Sequence, residues 1–302
     1  MKKAFSLIEV IFVLVILGII ASISSQIIVQ VYENHITQRA VYNVSTKTEL
    51  AINQIVNRLT YSIINSAIAK DPTSSTNYKL LTDLDLSTDT NLTVLEWIGY
   101  DNDSFAAGST PYWSGVANYE TATKSMFETP GSQLGKVDTI IKNLSKNKVG
   151  LNGSTQQPAV IFQPRTGEGD AINGSCMGLV DNNISCIYAV SENNATSFSF
   201  ENIAKSKTIS ERYQLSWSAY ALVPRLKSNG LYDLNLHFNY QPWETPSEKY
   251  NSTTTSTKTL ITNVSVFKFT QSGDIIQLKL CATENIGQNF NISTCKEKAI
   301  LR

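Results

Sequence analysis

Residues 10–32 carry no charged side chain, and this run of 23 residues constrains the architecture more than any other feature of the chain. About 20 apolar residues in a helix cross the hydrocarbon of a bilayer, so the segment is long enough to span one. A cleaved secretory signal has a core of roughly 7–15 residues closed by a small-residue cleavage pattern. This run is longer, no A-x-A pattern ends it, and no cysteine follows it as a lipoprotein signal requires. Lys2 and Lys3 precede the span, and Glu9 is the other charge there. A basic excess on one flank keeps that flank in the cytoplasm, so everything after about residue 32 is expected across the membrane.

Glu9 is the anomaly. A carboxylate at membrane depth costs about 3 kcal/mol on insertion scales and usually has a functional partner; the plainer reading lets it snorkel to the head groups. The order Lys2-Lys3-Ala4, Phe5-Ser6-Leu7-Ile8-Glu9-Val10, then the long apolar run, resembles the class III signal of type IV pilins and type II secretion pseudopilins. The resemblance implies cleavage between Ala4 and Phe5 by a prepilin peptidase and N-methylation of Phe5. The apolar segment is then retained, first as inner-membrane anchor and later as packing core of a fibre. The implied partners are other pilin or pseudopilin subunits, met through the N-terminal helix, the prepilin peptidase and the inner-membrane assembly platform. Glu9 becomes the fifth residue of the trimmed chain, and its implied role in assembly is to meet the N-terminal amine of a neighbouring subunit. Buried opposite charges are tolerable when they pair.

Two departures from the family pattern stand out. Ala4 replaces the usual Gly before the cut, and Gln26 stands where many major pilins have Pro. Without a Pro to kink it, the helix is expected to be straight, which favours a minor or pseudopilin subunit. Retention of Glu9 argues against the K-type tip subunit, which lacks this acid in the family.

The chain divides, on this reading, into a basic leader (1–4), a membrane-spanning half of the N-terminal helix (5–32), an amphipathic half (33–71) and a periplasmic β-rich head (72–302). Ile52, Ile55, Val56, Leu59 and Ile63 recur at helical spacing, and Pro72 bars continuation. One helix from about residue 5 to 70 is expected, roughly 100 Å long at 1.5 Å per residue. Residues 72–157 are polar and weakly periodic, with 92–98 readable as a short helix or a strand. Strands are expected at 159–162, 186–190, 197–201, 213–223, 231–240, 260–270 and 274–281. Alternation puts Tyr232, Leu234, Leu236, Phe238 and Tyr240 on one face. It also sets Val264 and Val266 opposite Phe267 and Phe269. Residues 253–257 read as an exposed loop. A leading helix followed by strands gives an α+β class, a long helix packed on a mainly antiparallel head. The hairpin over 261–280 resembles the closing hairpin of J-type minor pseudopilins and of PilW-like minor pilins.

Equal counts of 25 basic and 25 acidic residues provide no electrostatic footprint for nucleic acid. There are only two histidines, His35 and His237, and no H-E-x-x-H, G-x-S-x-G or P-loop pattern, so neither an enzyme nor a cofactor is expected. His237 reads as a surface residue. Gly174-Ser175-Cys176-Met177-Gly178 resembles an elbow but centres on a cysteine, and Asp83-Leu84-Asp85 lacks the ligand spacing of a calcium loop. Four cysteines allow three pairings. Outside the cytoplasm disulfides are the default, and the local pairing, Cys176 with Cys186 and Cys281 with Cys295, is preferred over a zinc site without C-x-x-C spacing. Asn91, Asn183 and Asn194 each open an Asn-x-Ser/Thr triplet with an acid two positions earlier, which resembles the extended acceptor of some bacterial N-glycosylation systems. The expected function is structural: a minor subunit of a type II secretion pseudopilus, at or near the fibre tip. The alternatives are a minor type IV pilin of a surface or competence pilus and a membrane-anchored periplasmic enzyme or binding protein.

Overall fold

A computed structural model describes residues 6–74, 76–163, 172–201, 208–286 and 290–301. Helix α1 spans Leu7–Thr60, 54 residues, or about 80 Å. It ends ten residues before the expected stop. Tyr61, Ser62, Ile63 and Ile64 are poor helix formers, the Ser62 hydroxyl donates back to the Leu59 carbonyl, and a sheet captures the chain. Ile63 N–H donates to the Ile98 carbonyl at 2.8 Å and Tyr100 N–H to that of Tyr61 at 2.9 Å. Asn65, at φ 61°, completes the reversal. Ile63 and Ile68 are still buried, in a different core from the one their helical spacing suggested.

After α1 come β1 (Ile68–Lys70), β2 (Tyr78–Leu80), β3 (Val94–Gly99), α2 (Asn102–Phe105), β4 (Met126–Glu128) and α3 (Leu134–Ser145). Then follow β5 (Ala159–Phe162), β6 (Tyr188–Asn194), β7 (Ser197–Phe200), β8 (Tyr213–Ser216), β9 (Ser218–Leu226), β10 (Tyr232–Tyr240), β11 (Ser256–Ser272), β12 (Ile275–Ile286) and β13 (Phe290–Leu301). Eight strands form one sheet in the order β13-β12-β11-β10-β9-β3-β1-β2, and five form a second, β4-β7-β6-β5-β8. The strand pairs in both are antiparallel, so the class is α+β, with a long leading helix on an antiparallel head.

Three cores hold the head. In the first, Val44, Ala51, Ile52, Ile55 and Leu59 of α1 pack on Leu234, Val264, Phe269, Leu278 and Ile300 of the larger sheet. The second is aromatic and lies in the smaller sheet, where Phe127 meets Phe162, Phe198, Phe200 and Tyr213 at centroid distances of 5.3–5.4 Å. Leu134, Val137 and Ile141 of α3 close it. The third joins the two sheets through Ile68, Val94, Ile98, Ala159, Ile161 and Trp243. Strand β3 therefore contributes Leu95 and Trp97 to the first core and Val94 and Ile98 to the third.

A register shift between Val264 and Val266, beside Asn263 at φ 58°, corrects the expected facing of β11. An extra residue in one strand reverses the alternation beyond it, so Val264 and Phe269 share the first core. Residues 253–257 are also not a free loop. Thr254 donates to Glu248, Thr255 donates to the Lys249 carbonyl at 2.9 Å, and β11 starts at Ser256.

Both local disulfides form, Cys176–Cys186 and Cys281–Cys295. The second joins residues directly opposite each other in β12 and β13. Loops of this size stabilise by about 3 kcal/mol in the chain-entropy model. Because β13 is an edge strand with β12 as its one partner, Cys281→Ser/Cys295→Ser is expected to cost about that much. Amide exchange should rise in β13 first, and equal exchange in both proteins would reject the staple.

Asp101 is fully buried at the start of α2, where it accepts the Ser104 N–H at 3.2 Å and the Ser104 hydroxyl. Burial pushes its carboxyl up from the ordinary 3.8 to about 7. The folded chain then binds this proton more tightly than the unfolded one, so stability falls as pH rises from about 4 to 7. Asp101→Asn keeps an acceptor for Ser104 and is expected to flatten that slope in thermal unfolding between pH 5 and pH 8; an unchanged slope refutes the assignment.

Candidate assembly site

Of the expected processing and assembly residues, Glu9 lies among the described residues, at the start of α1. Ser6 caps the helix in extended conformation, and its carbonyl accepts the N–H groups of Glu9 at 3.0 Å and Val10 at 3.3 Å. Ala4 and Phe5, the expected cleavage pair, lie outside the described residues. Glu9 occupies the first turn, where a carboxylate faces the positive end of the helix dipole. With Ser6 three residues ahead it also matches a capping-box spacing, a local signal that the sequence reading passed over, although the Ser6 side chain makes no cap bond.

From Leu7 to Tyr32 the large apolar side chains are 45–82% exposed. This is the one described helix long and apolar enough to cross a membrane. Exposure of so much apolar surface is unfavourable in water by about 25 cal/mol per Å², so the face is made for lipid or for other helices. α1 runs through Gln26 without a break, as the missing Pro implied.

The lower half of the helix is seated differently. Ala40, Val44, Thr48, Ala51, Ile52, Ile55 and Leu59 are buried at intervals of four, four, three, one, three and four, a single stripe. Thr48 lies in that stripe without penalty because its hydroxyl donates to the Val44 carbonyl at 2.7 Å. At the rim, Glu49 meets Lys298 at 2.9 Å and Lys296 at 3.5 Å, and Lys47 meets Glu284 at 3.5 Å. The hydrogen bond from Lys298 leads the influences that hold the Glu49 carboxyl below its usual range. These exposed pairs set register more than stability.

The remaining sequence candidates do not converge. His35 is exposed on α1. His237 is half-buried rather than on the surface, with Nδ1 2.8 Å from the Tyr250 carbonyl, and burial lowers its proton affinity. Asp85 accepts the N–H and hydroxyl of Ser87, and Asp83 the hydroxyl of Thr82. Among the described residues no three His, Cys, Asp or Glu side chains gather as a metal site would need. Cys176 of the elbow-like segment is disulfide-bonded.

Against known proteins, residues 1–25 match the family model described as the prokaryotic N-terminal methylation motif. Neither the curated proteins nor the solved structures contain a match to the chain. The chain thus carries at residues 1–25 the N-terminal methylation motif, the class III signal of type IV pilins and pseudopilins, and continues as an exposed apolar helix on an antiparallel head.

Proposed function

We propose that the protein is a structural minor subunit of a type II secretion pseudopilus, standing at or near the fibre tip. Before assembly it is held in the inner membrane, N-terminus cytoplasmic and head periplasmic. The observation that carries this reading is the division of α1: one unbroken helix has an upper half with its apolar residues exposed and a lower half seated in the head. The exposed half suits a bilayer before assembly and a bundle of like helices afterwards. The seated half makes the head follow any movement of the stem. Gln26 in place of a helix-breaking Pro and a large head both suit a position outside the densely stacked shaft.

Intact-mass spectrometry of the protein from its native membrane tests the pathway. Loss of residues 1–4 with one added methyl group is expected; an uncut N-terminus, or a cut beyond the apolar run, overturns it. Deleting the gene tests the machine: secreted proteins should accumulate in the periplasm while surface pili persist, and the reverse phenotype would assign the subunit to a surface pilus.

A further inference from the structure

Eleven Asn-x-Ser/Thr triplets occur in the chain, and Asn91, Asn183 and Asn194 are the three preceded by an acid at the second position before the Asn. The three lie at the exposed ends or loops of the head, whereas Asn43, Asn143 and Asn263 sit within α1, α3 and β11. Their surroundings separate them.

Asn194 is the last residue of β6, before the two-residue turn that leads to β7, and residues 193–196 are exposed. Its side-chain oxygen accepts the Thr196 N–H at 2.9 Å and the Thr196 hydroxyl at 3.3 Å. The amide and the hydroxyl of the triplet are therefore presented together. The turn is held from behind, because the Ala195 and Thr196 carbonyls accept the N–H groups of Leu134 at 3.1 Å and Thr129 at 2.8 Å. Asn183 repeats the arrangement within the loop closed by Cys176–Cys186. Its oxygen accepts the Ser185 N–H at 3.2 Å, its own N–H goes to exposed Asp181 at 2.8 Å, and Asn183 and Ser185 are exposed. All three acids have a partner, Glu192 the exposed Asn152 amide at 2.6 Å and Asp181 the Asn183 N–H, but at Asn91 the acid is held twice, Asp89 meeting Lys79 at 2.8 Å and the Asp85 N–H at 2.9 Å. Leu92 is buried, and half-buried Thr93 leads straight into β3.

We propose that Asn194 and Asn183 are acceptors of N-linked oligosaccharide and that Asn91 is not one on the folded chain. The donor class is an oligosaccharide on a polyprenyl diphosphate. A bond forms between the Asn Nδ2 and the anomeric carbon, the glycosyl–diphosphate C–O bond breaks, the amide gives up one proton to solvent, and the lipid diphosphate leaves with its electron pair. No oxidant or reductant is involved. The acid two positions earlier gives the transferase a charge to grip, and the hydroxyl two positions later gives it a hydrogen bond. The inference rests on export of the head, not on its entry into a fibre.

The test is intact-mass and glycopeptide mass spectrometry of the full chain from native cells, as wild type and as Asn194→Gln, Asn183→Gln, Asn91→Gln and Glu192→Gln. Two equal mass increments are expected, one lost with each of the first two substitutions and both kept in Asn91→Gln. Glu192→Gln should reduce occupancy of Asn194 at least several-fold. A mass equal to the trimmed, methylated chain alone overturns the proposal and leaves the pilin reading standing. Equal modification of Asn91, or of triplets lacking the acid, also overturns it. Increments on an uncut chain uphold the glycan and refute the pilin reading instead.

Discussion

Glu9→Gln is expected to leave the protein at its normal level in the membrane and to reduce its entry into fibres at least ten-fold, read by cross-linking to neighbouring subunits. In water an ion pair of this kind contributes little. In an apolar bundle the loss of one partner strands the other charge, at about 3–5 kcal/mol, or about two to three and a half orders of magnitude in occupancy. The amine of a neighbouring Phe5 would be the stranded group. Glu33→Gln, just beyond the uncharged run, is the control and should assemble normally. Wild-type cross-linking of Glu9→Gln would remove pairing as the docking device and leave apolar packing alone.

The second large effect concerns the head. Lys70 and Glu96 form an ion pair at 3.1 Å with side chains 4% and 0% exposed. Lys70 Nζ also donates to the Leu179 carbonyl at 2.6 Å and lies 5.5 Å from the Tyr250 ring centre. Glu96 accepts the Tyr240 hydroxyl at 2.8 Å. Burial pushes the Glu96 carboxyl up, and the Lys70 charge leads what opposes that push. Lys70→Met removes the opposition and is expected to cost about 3–5 kcal/mol at pH 8. The carboxyl, now further above its unfolded value, is neutralised as pH falls, so the loss should shrink toward pH 5. Lys70→Met/Glu96→Leu should recover much of the stability, since an apolar pair leaves no buried charge. Thermal unfolding of the full chain in detergent at the two pH values decides it; a loss independent of pH, or a double variant worse than the single, would show that the two charges do not compensate each other.

The stem was legible because its signals are local: an uncharged run, a helical stripe and a short motif around Glu9. Strand β7, which feeds one core, was legible for the same reason, and β5, buried on both faces, was legible as a short apolar run. Where structure departs from the reading, long-range packing decided. Residues 213–223 look like one uninterrupted strand, yet Trp217 marks a crossing, with β8 before it in the smaller sheet and β9 after it in the larger. Strand β3 is buried on both faces, so it has no alternation to detect. Helix α3 has a stripe of only Leu134, Val137 and Ile141 within polar surroundings. Strand β13 was missed although a signal existed. Pairing Cys281 with Cys295 across two strands implies a hairpin centred near residue 288, and the strand alternates, with Ile292 and Ile300 turned toward the first core.

The seat of α1 has a consequence for how the protein is made. The stem is synthesised first, but its resting place is built from β11, β12 and β13, the last described strands to emerge; Lys47 and Glu284 are 237 positions apart. Closure over such a separation is slow, because the loop entropy must be met before the contacts return it. A chain still being synthesised therefore has its lower stem unseated. In the proposed role, only a head completed through its last strand would transmit a lift applied to the helix, so the order of the chain itself would separate finished subunits from unfinished ones.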